Sequence, residues 1–190
     1  MFELKFHTPI EWAHVCLEDF DSFLQDHAAA EKKAASMAMS MLSHYQDRTN
    51  LVRAMTDLAL EELIHFKQVL KIMTRRGVQL ANDEKDPYIN QIRKMFRHTQ
   101  QEKFLDRLLI AGVIEARGYE RFSLIAEALP AGKDKKFYDD IAKSEEKHKN
   151  LFVELALEYF DKEEVYQRLE EILDEEARIC ASLPFRAALH

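Results

Sequence analysis

Turn residues are scarce in this chain. Only 4 glycines and 4 prolines occur among 190 residues, which disfavours all-β folds and glycine-loop nucleotide sites, since both need turns often. Cysteine is scarcer still: Cys16 and Cys180 are the only two, too few for a zinc ribbon, an iron–sulfur cluster or a disulfide scaffold. No stretch approaches the roughly 18 uninterrupted apolar residues of a membrane span. The opening Met-Phe-Glu-Leu-Lys-Phe-His lacks the basic-then-apolar order of a secretory leader. A soluble protein of the cytoplasm is therefore expected, with no membrane partner. Positive charge is also in deficit. A formal net charge of −7 argues against nucleic-acid binding over the whole surface and leaves room only for a local basic face.

What is present is globular. Hydrophobic residues make up 47% and charged residues 32%, a composition that argues against disorder. The length fits one domain, expected to span 1–190. Such a chain buries roughly two-thirds of its unfolded surface, so it needs no metal merely to fold.

The prolines punctuate helices. Thr8-Pro9-Ile10-Glu11 reads as a capping box with proline at the first helical position. Asp86-Pro87 repeats the cap-then-proline start, while Pro130 and Pro184 follow helical runs and end them. Between these marks apolar residues recur at three and four, as in Leu51, Met55, Leu58, Ala59, Leu63, Phe66, Leu70 and Met73. The pattern predicts helices over 9–25, 28–46, 51–76, 87–98, 101–129, 134–160 and 163–179. Asn50 is placed to cap the third, and Gly77 to close it in the left-handed conformation. Four of the helices are roughly 30–40 Å long at 1.5 Å per residue. The expectation is an all-α four-helix bundle with additional short helices, the stretch from Gly77 through 87–98 serving as its crossover.

Glu62-Leu63-Ile64-His65 sets a carboxylate and an imidazole three apart on one helix face, and Glu145-Glu146-Lys147-His148 does so again. Chance supplies such pairs at this composition, and a third stands at Glu11 and His14. The spacing to further glutamates discriminates. Glu31 lies 31 residues before Glu62, and Glu115 lies 30 before Glu145, one long helix out and one back. Glu31 maps onto Glu115 at an offset of 84, and Glu62 and His65 onto Glu145 and His148 at 83. Glu11 has no place in this repeat and is assigned to the capping box. Each ligand candidate taken alone reads as an ordinary solvated charge. Six in register beside Ala28, Ala35, Met39, Leu58, Ala59, Phe66, Val113, Ile114 and Phe152 do not.

Two glutamates from two helices and a Glu-x-x-His from each of two others form the ligand set of carboxylate-bridged dinuclear iron or manganese sites. Four buried carboxylates would repel and would each lose solvation. Two divalent ions cancel that charge with both histidines neutral. Oxidation of both ions adds charge that oxygen anions balance, which suits O₂ as co-substrate. Hard oxygens with imidazole favour iron or manganese over copper, and no thiolate is placed to select zinc.

Gly112 and Gly118 flank Glu115 inside one helix, at a cost of about 1 kcal/mol each relative to alanine. Close helix packing and open space beside the metals are the two readings. Tyr119 lies one turn beyond Glu115 and is a candidate partner for a metal-bound oxygen, or core. Met37, Met39 and Met41 read as adaptable core packing. Among the basic runs, Lys32, Lys33, Arg117 and Lys147 adjoin ligand positions and are candidate contacts to a phosphate-rich substrate.

With this ligand set the chain resembles the ferritin-like carboxylate-bridged diiron proteins, and within them it is similar to the MiaE-type tRNA hydroxylases. The likeness runs from Thr8-Pro9-Ile10-Glu11-Trp12 to the helical tail, through His27-Ala28-Ala29-Ala30-Glu31-Lys32-Lys33-Ala34-Ala35, Glu61-Glu62-Leu63-Ile64-His65-Phe66, Ile114-Glu115-Ala116-Arg117-Gly118 and Ser144-Glu145-Glu146-Lys147-His148. The resemblance implies a ferritin-like bundle holding two iron ions that cycle between Fe2+ and Fe3+ on Glu31, Glu62, His65, Glu115, Glu145 and His148. It implies O₂-dependent hydroxylation of the isopentenyl group of a 2-methylthio-adenosine next to the tRNA anticodon. Hydroxylation with O₂ needs two further electrons, and the chain has no flavin motif or cysteine cluster, so an external reductase or ferredoxin-like donor is expected. A ferritin- or rubrerythrin-like iron oxidase or peroxidase is the alternative, and a non-catalytic helical interaction module is the alternative of another class.

Overall fold

Apolar residues at intervals of three and four make each long segment helical, and a computed structural model shows which face each helix buries. It describes residues 2–82 and 85–190. In chain order the elements are α1 (Ile10–Glu18), α2 (Phe20–His44), α3 (Thr49–Arg76), α4 (Pro87–Ile92), a 3-10 turn (Arg93–Met95), α5 (Gln100–Ala128), α6 (Lys133–Tyr159) and α7 (Lys162–Ser182). No strand occurs among the described residues. The contacts group the chain into two compact units.

One unit comprises residues 14–82 and Arg186–Leu189. Its frame is α2 packed on α3 across the short turn between them. From α2, Phe23, Leu24, Ala28, Ala35, Ala38 and Met41 turn inward, and from α3, Leu51, Met55, Leu58, Ala59, Val69 and Ile72. Each large apolar side chain buried this way stabilises by roughly 1.5–3 kcal/mol. Glu31 interrupts the first stripe, and Glu62 and His65 interrupt the second, at positions where the helical period calls for apolar residues. Gly77, at φ 73°, closes α3 as expected, its N–H donating to the Met73 and Thr74 carbonyls.

The other unit comprises residues 2–13, 85–185 and His190. Here α5 packs along α6, and α7 packs on α5 and α4. Gly112 sets the closeness of the α5–α6 pair: a Cβ there would stand 3.2 Å from the Lys149 carbonyl oxygen and from Phe152 Cβ. Thr99 and Glu102 form a reciprocal capping box that starts α5. Asp106, fully buried, is held by Arg97 and Arg168.

Several boundaries differ from the sequence pattern. The helix expected over 9–25 is two, and α2 starts at Phe20 rather than 28. The Asp19 carboxylate accepts the Ser22 N–H at 3.3 Å and makes the break without proline or glycine. Asn50 lies inside α3, whose N-cap is Arg48. Thr8 is spent on a distant partner and not on a capping box, its N–H and hydroxyl donating to Glu120 at 3.0 and 2.7 Å. Asp86 caps α4 as expected, accepting from the Tyr88 and Ile89 N–H groups at 2.8 and 3.2 Å. The helix expected to 98 ends at Met95 because the Arg97 N–H donates to Asp106 at 2.8 Å instead of to a helical carbonyl. The α7 helix runs on to Ser182, three residues past the expected 179. The expected crossover includes 83–84, which lie outside the described residues.

Candidate metal centre

Each unit carries a triad of two glutamates and a histidine. In the first, Glu31 comes from α2, and Glu62 and His65 come from α3, where a separation of three sets them on one face. All three are buried. His65 Nδ1 lies 3.4 Å from Glu62 Oε2 and 3.7 Å from Glu31 Oε2. The other oxygen of Glu31, Oε1, lies 2.6 Å from Nε2 of fully buried His27.

In the second unit, Glu115 comes from α5, and Glu145 and His148 come from α6, again all buried. His148 Nδ1 lies 3.4 Å from Glu145 Oε2 and 4.0 Å from Glu115 Oε2. In each triad the candidate ligand atoms lie within 4.8 Å of one another. The offset of 83–84 seen in the sequence thus relates two sets of like geometry.

The triads fit metal ions on their own evidence. Among the described residues, the buried atoms Glu62 Oε1, His65 Nδ1, Glu145 Oε1 and His148 Nδ1 make no hydrogen bond, although their residues have ionic neighbours. Buried polar atoms left this way are costly, and the same atoms recur in both triads. A cation bound by carboxylate oxygens and imidazole nitrogen would satisfy them, and hard donors of this kind suit iron or manganese.

The charges agree. Burial alone would push the Glu31 carboxyl up, but the hydrogen bond from His27 and the nearby His65 imidazole outweigh it and hold the group well below the usual carboxylate range. Burial would likewise push His65 down, but the adjoining Glu31 and Glu62 carboxylates outweigh that and raise it to about 9. Without metal, a proton on His65 does part of a cation's work.

The other expected residues fall out differently. Lys32, Lys33 and Lys147 are exposed. Arg117 is not: it is fully buried and donates to Glu176, Thr8, Glu120 and the Phe6 carbonyl. Its guanidinium is committed to protein and is withdrawn as a phosphate contact. Tyr119 is half-buried, with the Lys149 ammonium 4.7 Å from its ring centre. Gly112 serves close packing, whereas Gly118 meets only Phe122 at 3.9 Å. Met41 is core, but Met39 is 51% exposed. Glu11 and His14 are both exposed, apart from either triad. His27 was missed as a partner of Glu31. Its signal was the helical spacing of four.

The sequence family described as tRNA-(MS[2]IO[6]A)-hydroxylase (MiaE) matches residues 2–190. A Pseudomonas putida protein named tRNA 2-(methylsulfanyl)-N(6)-isopentenyladenosine(37) hydroxylase is 36% identical over 163 residues, 86% of this chain and 79% of that one. A Salmonella typhimurium protein of the same name is 30% identical over 131 residues, 69% of this chain and 48% of that protein. Among solved structures, a Synechococcus protein described as having aldehyde deformylating oxygenase activity aligns at a TM-score of 0.94 and 31% identity, covering 100% of this chain and 96% of that one. This likeness bears out the all-α, ferritin-like class. Since the family match runs from residue 2 to the last and takes in both triads, the chain belongs to the MiaE family of tRNA hydroxylases.

Proposed function

We propose that residues 1–190 work as one diiron domain in which Glu31, Glu62, His65, Glu115, Glu145 and His148 together hold two iron ions. The reaction is O₂-dependent hydroxylation of the isopentenyl side chain of 2-methylthio-N6-isopentenyladenosine, next to the anticodon of tRNA. Family membership supports the substrate. The observation that carries the metal reading is the pair of buried Glu, Glu and His triads, whose ligand atoms cluster within 4.8 Å at matching positions of the repeat.

Bound iron supplies O₂ activation and insertion of one oxygen atom into a C–H bond. The residues supply the rest. The four carboxylates would balance two divalent ions, with His65 and His148 binding as neutral imidazoles. Tyr119, one turn beyond Glu115 with its ring 4.7 Å from the Lys149 ammonium, would offer its hydroxyl as a hydrogen-bond donor at the site. Lys32, Lys33 and Lys147, exposed beside ligand positions, contact RNA phosphates. Both cysteines are buried and far too few for an electron-transfer cluster, so two electrons come from a separate reductase or ferredoxin-like protein in the cytoplasm. No helix among the described residues is long and apolar enough to cross a membrane.

The test incubates reduced protein, O₂ and tRNA carrying the prenylated adenosine, then digests the RNA and weighs the nucleosides. One oxygen gained by that nucleoside, and lost in Glu115→Ala, is the expected result. No gain of oxygen, with growth of a large ferric core under excess iron, would move the assignment to an iron oxidase. Charge reversal at Lys33 or Lys147 should weaken RNA binding and lower the salt slope by about one for each phosphate no longer neutralised, with iron content unchanged.

A further inference from the structure

The two triads differ at the residue one turn before the first glutamate. The offset of 84 that carries Glu31 onto Glu115 carries His27 onto Ala111. One turn before the α2 glutamate stands an imidazole, and one turn before the α5 glutamate stands a methyl group that can donate nothing.

The contact between His27 and Glu31 is short and dry. Nε2 and Oε1 are 2.6 Å apart, His27 is 0% exposed and Glu31 4%. A carboxylate only accepts hydrogen bonds, so Nε2 carries the proton and donates. His27 itself is braced by the Phe23 ring, 6.0 Å away centre to centre on the same helix. The second oxygen of Glu31 points the other way, 3.7 Å from His65 Nδ1. Of its two oxygens, one is therefore fixed on His27 and one is turned toward the triad.

We infer that His27 is a positioning residue which holds Glu31 Oε1, so that Glu31 offers a metal ion Oε2 alone. This rests on the reading of Glu31 as a ligand. The α2–α3 triad thus differs from the α5–α6 triad at this corresponding residue, despite the repeat in their ligands. The α2–α3 position takes a glutamate limited to one oxygen and oriented in advance by a buried donor. The α5–α6 position has no donor at the corresponding residue, Ala111. Partners that orient a ligand typically contribute 10–100-fold to metal affinity.

The experiment titrates the full metal-free chain with ferrous iron, anaerobically, in the wild type, His27→Met and His27→Gln. Methionine fills the space without a donor, and the glutamine amide can reach the Nε2 position and donate. In His27→Met, one of two binding steps should weaken by about 10–100-fold while the other holds, and His27→Gln should restore most of the loss. Equal affinities in all three, or glutamine as poor as methionine, would overturn the inference. An infrared difference spectrum of wild type on loading needs no variant: bands of a one-oxygen carboxylate ligand are expected, and bands of two-oxygen ligands alone would overturn it. A wild type that binds no pair of ions would instead sink the reading of the triads themselves.

Discussion

Arg117 and Glu176 meet as a two-pronged ion pair with neither side chain exposed: Nε donates to Oε1 at 2.8 Å and Nη2 to Oε2 at 2.9 Å. The same guanidinium donates to Thr8 Oγ1 at 3.1 Å, to the Phe6 carbonyl at 3.0 Å and to Glu120. The Tyr88 hydroxyl and the Cys180 thiol also donate to Glu176 Oε1, each at 3.1 Å. One charge pair thus ties the segment before α1 to α4, α5 and α7. Burial disfavours the Arg117 cation, but the Glu176 bonds outweigh it and keep it charged.

Removing either partner strands a buried charge, which costs about 3–5 kcal/mol. Arg117→Met and Glu176→Leu should each lower stability by that amount in urea denaturation. The double variant should recover part of the loss, because neither of the two fully buried charges is left facing an uncharged partner. Strictly additive losses would show that the two side chains are not coupled.

Gly112 and Gly118 should answer alanine in opposite senses. At Gly118 the new methyl meets only Phe122 at 3.9 Å, so Gly118→Ala should stabilise by up to about 1 kcal/mol through helix propensity. At Gly112 it meets backbone oxygen and Phe152 Cβ at 3.2 Å, and a helix backbone yields poorly. Overpacking of this kind costs about 1–3 kcal/mol, so Gly112→Ala should be less stable than wild type. Equal shifts in both thermal midpoints would contradict the packing role.

What the sequence made legible was periodic, and what it hid was long-range. Glu62, His65, Glu145 and His148 stand at helical spacing on apolar stripes, so their common face could be read directly. Gly77 and Asp86-Pro87 were legible because their backbone chemistry is local. Thr8 looked like a cap because Glu11 sits three residues on, but its partner Glu120 is 112 residues away. Arg117 looked like a surface cation because Glu176, 59 residues later on another helix, cannot be paired with it by periodicity. The break at Asp19 rests on one side-chain bond, with no proline or glycine to announce it.

Cys180 offers a pH test. Burial, with Glu176 beside it and only partly offset by Arg117, pushes its thiol up from the ordinary 9.0 to about 12. The unfolded chain therefore loses this proton first as pH rises. The contribution is complete below about pH 9 and disappears by about pH 12, so stability should fall across that window. At pH 8 the folded thiol is un-ionised and buried, and iodoacetamide should leave it unmodified while labelling the urea-unfolded chain. Fast labelling of native protein at pH 8 would refute the assignment.

The triads should show a conflict between stability and metal binding. Without metal, Glu115 and Glu145 place two carboxylates around one imidazole in a buried site, and Glu145 Oε1 has no hydrogen bond there. Glu145→Gln keeps the shape and replaces a desolvated charge by an amide, which is cheaper to bury. The metal-free variant should therefore be more stable than metal-free wild type, by about 0.5–2 kcal/mol. Iron reverses the order. A ligand at 100 times its Kd stabilises the folded state by about 2.7 kcal/mol, and the variant has one donor fewer with which to hold it. Urea midpoints measured anaerobically, with and without ferrous iron, should cross. If Glu145→Gln is the less stable protein in both conditions, its carboxylate is a structural group and the α5–α6 triad is not a metal site.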